Sequence, residues 1–294
     1  MAIHRLRGEF RKHALVLVLI HVTLPLWTLW MYALPAHSLV QSWSLAQTTS
    51  LYEPALEDLI SWHGETLQAL SVVFSANYAL SLLGNTFIGV LLMGVIGAYV
   101  AGGEFHWRTL GGQVVHASRR QLLASKIALL SLSALTLILV MVGLSAAGSF
   151  LASSHITTQL AIDQQSLPLP DAVPVLPQIA ITWLSLMLFG LGALTCTLIT
   201  SQTVVGLLVF LALWYGQLIM AGYLQQGPIT WLLPAAVQQS MAYHAYVFLP
   251  NGGIVHEPLL SPIAALTPAV IITAGMTLLI LAGAVVVFDL KEIR

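Results

Sequence analysis

The sequence predicts an all-α integral membrane protein with six transmembrane helices, and three observations carry that prediction. Of its 294 residues, 58% are hydrophobic and only 7% charged, whereas soluble domains carry about a quarter charged residues. The apolar residues gather in six runs, each near or above the roughly 20 residues that cross a bilayer as a helix. All ten Lys and Arg residues fall on one side of the layout these runs create, the pattern of the positive-inside rule. The expected organisation is one transmembrane domain over 1–294, with no second soluble module.

The chain begins with Arg5, Arg7, Arg11 and Lys12 ahead of a first apolar run at about 14–34. That run is longer than the apolar core of a secretory signal, lacks a small-x-small cleavage site and ends in Trp27, Trp30 and Tyr32 as an interfacial belt would. It reads as span one. Leu6 and Phe10, set among the basic residues, suit an amphipathic interfacial helix lying on the membrane face before it. Residues 35–67 form an acidic outer loop with Glu53, Glu57, Asp58 and Glu65; Pro54, with two acids behind it, predicts a short helix start there.

Span two runs over about 75–101 and span three over about 122–151, separated by a polar, basic loop at 102–120. The next outer loop, 152–177, carries Asp163, Asp171 and four prolines, which argue for an irregular connection. Span four covers about 178–199. Thr200, Ser201 and Gln202 make a tight turn into span five, about 203–223, so the two spans pair as an antiparallel hairpin. In 224–262 the apolar pieces are too short to cross, and Gly227-Pro228, Pro234 and Pro250-Asn251-Gly252-Gly253 interrupt them. They read as re-entrant or interfacial helices. Span six, about 263–288, ends in Asp289-Leu290-Lys291.

Six spans put both termini on one side, and the charges agree. Arg5, Arg7, Arg11, Lys12, Arg108, Arg119, Arg120, Lys126, Lys291 and Arg294 all lie there. Glu53, Glu57, Asp58, Glu65, Asp163, Asp171 and Glu257 lie on the other side. The termini and the 102–120 loop are therefore expected to face the cytoplasm, with the chain in the plasma membrane.

Several chemistries are absent from the sequence. A phosphate-binding loop needs Gly-x-x-x-x-Gly-Lys-Ser/Thr, and none of Lys12, Lys126 and Lys291 sits in that frame. Gly190-Leu191-Gly192 lies in mid-span with no strand before it, so it reads as helix packing rather than a dinucleotide loop. No His-Glu-x-x-His is present, and His37, His63, His155, His244 and His256 match no metal-ligand spacing. The lone Cys196 makes no internal disulfide and reads as a small buried hydrophobe. The spans hold essentially no charge, which argues against an acidic ion relay or a voltage sensor. They hold mild polarity instead: His21, Thr23, Asn77, Asn85, Thr195, Thr197, Gln202 and Gln217. Interhelical hydrogen bonding is the plainer account of these; Asn77, Asn85, Thr195 and Gln217 are the candidates for a substrate path. Gly94 with Ala98, and Gly143 with Ala147, suit close helix packing within the protomer or across a dimer.

With no energy source in the spans, energy has to come from a partner, and the 102–120 loop is the one sizeable cytoplasmic connection. Gly102 and Gly103 suit the end of span two, and Glu104 suits a new first turn. Phe105, Trp107, Leu110, Val114 and Val115 then give an apolar stripe beside Arg108 and His116. The result is a short amphipathic helix for a lipid surface or a protein groove.

In these residues the chain resembles type-2 ABC exporter permeases. The resemblance rests on Gly97, Glu104, Trp107-Arg108-Thr109-Leu110, Ser118-Arg119, Leu122-Leu123-Ala124 and Lys126. The basic stretch Glu9-Phe10-Arg11-Lys12 and the end Phe288-Asp289-Leu290-Lys291 extend it over the chain. Arg108 stands where many members have Gly, and Ala117 where Pro is common. The resemblance implies a cytoplasmic coupling helix over 104–115, with Glu104, Phe105, Trp107, Arg108, Thr109, Leu110 and Arg119 meeting a separate ABC ATPase present in two copies. It implies a second permease protomer, identical or not, and an outer re-entrant region at 224–262. The expected protein is a non-catalytic membrane subunit that binds no cofactor itself, ATP and Mg sitting on the ATPase, and exports a hydrophobic or amphipathic lipid, peptide or drug. Membrane lipid is an expected partner and nucleic acid is not. The alternative reading is an ATP-independent intramembrane enzyme or a structural membrane protein.

Overall fold

The computed structural model describes residues 14, 18–26, 40–41, 44, 75–76, 79–80, 83–84, 87–106, 118–160, 175–223, 247–248, 254–255 and 263–290. Five long helices dominate: α1 (Phe87–His106), α2 (Arg119–Leu160), α3 (Val175–Thr200), α4 (Thr203–Tyr223) and α5 (Ile263–Leu290). A two-stranded antiparallel pair, β1 (Val247–Phe248) and β2 (Ile254–Val255), is aligned Val247 to Val255 and Phe248 to Ile254.

Four helices have the length and apolar composition that cross a membrane: 120–158, 178–200, 203–220 and 270–290, within α2 to α5. The chain is a multi-pass membrane protein of helical architecture. The second predicted span appears as α1, preceded by helical residues at 75–76, 79–80 and 83–84, with its shorter apolar helix at Ile88–Gly102. Of the first predicted span, residues 14 and 18–26 are described and helical. The N-terminal amphipathic helix, the 35–67 loop apart from residues 40–41 and 44, and most of 224–262 lie outside the described residues.

α3 is the hub. It packs most heavily on α1, then on α5, α4 and α2, and Leu186 through Leu191 form an unbroken buried run on it. A helix apolar on every face needs neighbours on every face, and this one has them. α4 and α5 instead leave Val204, Leu208, Leu213 and Ile219, and Ile271, Leu278, Leu279 and Val286, on the outside of the bundle. Exposed apolar surface of this extent suits a membrane or a partner protein.

Close approach between α1 and α3 depends on a missing side chain. A Cβ on Gly97 would overlap the Gly190 carbonyl, so the two backbones touch there. Beside them the Phe210 ring sits within 3.1 Å of where a Gly94 Cβ would lie and 2.9 Å of a Gly192 Cβ. Phe210 stacks tilted on Trp214 at 6.1 Å, and Trp214 meets Phe189 edge-on at 4.9 Å. Small residues on α1 and α3 thus admit a large aromatic wedge from α4, the packing that membrane helices use without a hydrophobic drive. The Gly190-Leu191-Gly192 stretch is helix packing, as its mid-span position predicts.

Three boundaries differ from the sequence expectation. α2 runs nine residues past 151 to Leu160; at about 1.5 Å per residue its 42 residues reach about 63 Å, twice a hydrocarbon core. The polar tail stays helical because its hydroxyls bond within the helix: Ser154 to the Leu151 carbonyl at 2.9 Å, Thr157 to Ser153 at 2.9 Å and Thr158 to Ser154 at 2.6 Å. No Gly or Pro occurs between Leu151 and Pro168. α1 passes through Gly102 and Gly103 to His106, so Glu104 and Phe105 belong to its last turn rather than to the first turn of a new helix. A helical glycine costs only about 1 kcal/mol, and Gly102 is required for packing, since a Cβ there would overlap the Thr203 side chain. Within 224–262, with its apolar pieces expected to be helical, Val247 and Phe248 are strand.

Gly97→Ala should lower stability by about 1–3 kcal/mol, because the added methyl meets backbone rather than a movable side chain. Gly143→Ala, at an exposed position with nothing within 4 Å of its Cβ, should stabilise slightly through helix propensity. Thermal unfolding in one detergent compares the two.

Candidate functional site

The α1–α2 end of the bundle, where the chain leaves at His106 and returns at Ser118, is where the helices are tied most closely. Lys126, on the second turn of α2, is completely buried (0% exposed) and its Nζ donates to the Val100 carbonyl of α1 at 2.7 Å. Leu122, Leu123, Leu129 and Leu130 are buried around it on α2. A helix carbonyl has a second lone pair after its own ladder bond, and that of Val100 accepts from Lys126. The expectation of essentially no charge within the spans is corrected here: Lys126 lies inside the bundle.

Two residues beyond Val100, Gly102 lies against Thr203 and Thr197. Gly206 lies against the backbone and side chain of Thr197. The ends of α1, α3 and α4 are therefore in direct contact around Thr197, whose buried hydroxyl has no hydrogen-bond partner among the described residues. The α3–α4 turn is only Ser201 and Gln202. Ser201 is left-handed, with φ 58°, and its N–H bonds the Thr197 carbonyl at 2.8 Å, closing α3 with a left-handed cap. Gln202 opens α4 by accepting from Gly206 N–H at 2.8 Å, and Thr200 Oγ1 spans the turn to Gln202 O at 3.2 Å. At the same end Arg120 of α2 meets Asp289 of α5 at 3.6 Å. That pair is 83% and 36% exposed and contributes about 0–1 kcal/mol, yet it puts the start of α2 and the end of α5 together.

Of the expected coupling residues, Glu104 and Phe105 are on the last turn of α1 and Arg119 opens α2; Trp107, Arg108, Thr109 and Leu110 lie outside the described residues. Of the expected substrate path, Asn77 and Asn85 also lie outside them. Thr195 bonds its own helix at the Leu191 carbonyl, 2.8 Å. Gln217 is half-buried on α4. The contacts of Gly206 with Thr197 and of Gly192 with Phe210 set the hairpin register and place Thr195 level with residue 207. Gln217 is ten residues further on, about 15 Å along the axis, so the two are separate points rather than one pocket.

The mild polarity of the spans divides in two. His21 Nε2 reaches across to the Ser133 carbonyl at 3.1 Å, and Ser75 Oγ to the Ser145 carbonyl at 3.2 Å. Thr23, Thr136, Thr182 and Thr277 bond carbonyls one turn back in their own helices. Cys196 is half-buried on α3. Among the described residues no three His, Cys, Asp or Glu side chains come together to hold a metal.

Lys126 is the buried residue that counting cations by side passes over. Its signal is local: it sits four residues inside the apolar run that begins at Leu122, where an ionisable residue is retained only with a partner. No family model, curated protein or solved structure matches the chain. At the junction, parts of four helices meet beside the points where α1 ends and α2 begins.

Ser201→Gly should keep or raise stability by up to about 1 kcal/mol, because glycine adopts the left-handed cap without steric cost. Ser201→Val, β-branched at positive φ, should lower it by about 1–2 kcal/mol. Unfolding midpoints of both variants against the parent read the difference.

Proposed function

We propose that the chain is the membrane-spanning permease subunit of an ATP-driven ABC exporter, in which 102–120 receives work from a separate cytoplasmic ATPase. The observation that carries this reading is the coincidence of two features at one end of the bundle. The basic connection 107–117 leaves and re-enters there, and there α1, α2, α3 and α4 are tied through Lys126, Gly102, Thr197 and Gly206. A displacement of 107–117 has a stiff body to act on. The sequence holds no phosphate-binding loop of its own, so ATP and Mg belong to the partner.

On this reading the permease sits in the plasma membrane with its termini and 107–117 facing the cytoplasm. Two ATPase copies serve two permease protomers, alike or different. Trp107, Arg108, Thr109 and Leu110 form the seat on the ATPase, extending from the last turn of α1 at Glu104 and Phe105. The largely apolar interior, Lys126 apart, suits a hydrophobic or amphipathic cargo such as a lipid, peptide or drug. The exposed apolar sides of α4 and α5 face lipid or the second protomer.

Co-purification from native membranes should yield an ATPase with a Gly-x-x-x-x-Gly-Lys-Ser/Thr loop in a complex that hydrolyses ATP. Trp107→Ala should weaken assembly by about 2 kcal/mol or more, as loss of a buried aromatic anchor does, and lower ATP turnover with it. If Trp107→Ala and Glu104→Ala both leave assembly and turnover unchanged, 102–120 is not the coupling element.

A further inference from the structure

Position 126 has no need of a lysine for packing. A methionine of nearly the same length would fill the space among Leu122, Leu123, Leu129 and Leu130 without burying an amine, and burying a charge costs several kcal/mol unless its bonds return it. What Lys126 adds is a directional bond from α2 to the Val100 carbonyl of α1. Its position is informative. Val100 is six residues from the end of α1, and Lys126 seven from the start of α2. The bond therefore lies about 10 Å inside each of the two points at which 107–117 is attached.

Between Val100 and the end of α1 come Gly102 and Gly103, the pair least able to hold a helix together under load. Without a tie, a pull on 107–117 would unwind that last turn or slide α1 along α2. With it, the two helices form one lever. α1 passes the movement to α3 at the Gly97–Gly190 backbone contact and to α4 at Gly102 against Thr203.

We propose that Lys126 is a positioning residue for energy transfer: it braces α1 against α2 so that movement of 107–117 turns both as one body and reaches α3. The transfer rests on the exporter reading above, whereas the brace itself does not. Lys126 touches neither cargo nor nucleotide in this scheme and acts through Val100.

The test compares Lys126→Met, which keeps the length and removes the donors, with Lys126→Arg, which keeps a donor, by hydrogen exchange on the full chain. In the purified permease alone, Lys126→Met should speed exchange of the 101–106 amides about tenfold or more, and Lys126→Arg should restore most of the protection. Unchanged exchange in Lys126→Met overturns the brace. In the complex with its ATPase, trapping with ATP and vanadate should alter the protection of 186–198 on α3 in the parent and in Lys126→Arg. In Lys126→Met that response should vanish while ATP is still hydrolysed. A parental response in Lys126→Met overturns the transfer. If no ATPase associates with the parent chain, the exporter reading and the transfer both fail, and the first comparison still decides the brace.

Discussion

A lysine with no exposed surface must take its hydrogen bonds from protein, and at Lys126 the Val100 carbonyl supplies one at 2.7 Å. Much of the bundle's arrangement follows from satisfying that demand. α2 has to lie against the C-terminal part of α1, which fixes the register of the two helices and places Leu129 and Leu130 in the common core. Leu130 then reaches the Gly190 position of α3, and His21 on the Ser133 carbonyl and Ser75 on the Ser145 carbonyl hold α2 at further points. Dispersion between apolar side chains is non-directional and tolerates slippage; a single buried donor does not.

The second constraint is the absence of side chains at Gly97, Gly102 and Gly206. In a bilayer, helices gain nothing from hiding apolar surface from one another and associate through close packing instead. Gly97 brings α1 onto the α3 backbone, while Gly102 and Gly206 bring α1 and α4 onto Thr197 and Thr203. The contacts at Gly102 and Gly206 sit at the end where 107–117 attaches, and the aromatic wedge of Phe210 and Trp214 fills the layer beyond. Away from this junction α4 and α5 present long apolar faces outward. The bundle is thus stiff at the end proposed to receive force and bounded elsewhere by surfaces suited to lipid.

Much of the helix layout is legible in the sequence, because hydrophobic length and turn chemistry act locally. The predicted span at 203–223 coincides with α4 (Thr203–Tyr223), since the short polar turn Thr200-Ser201-Gln202 leaves little freedom of boundary. α2 overran its predicted end because polarity marks the edge of a membrane and not the end of a helix: Ser153, Ser154, Thr157 and Thr158 leave the apolar run while continuing the coil. The Gly102–Gly103 pair reads from sequence as a helix end, and it takes Thr203, about a hundred residues away in the chain, to make Gly102 a packing position. The burial of Lys126 is hidden from the sequence for a similar reason. Its side of the membrane is a local property, whereas its burial depends on α1 and α3. The expected coupling residues were placed by a motif in 102–120, and the described residues hold only its two flanks.

The account turns on 107–117 being the place where a nucleotide-hydrolysing partner holds the permease. The most direct measurement is site-specific photocrosslinking from Thr109 in native membranes, with the adduct identified by mass spectrometry. The account predicts a dominant adduct to a protein bearing a Gly-x-x-x-x-Gly-Lys-Ser/Thr loop, diminished when the crosslinker is moved to the exposed lipid-facing position Leu139 on α2. Adducts to lipid alone from Thr109, or equal capture of that protein from Leu139, would contradict it.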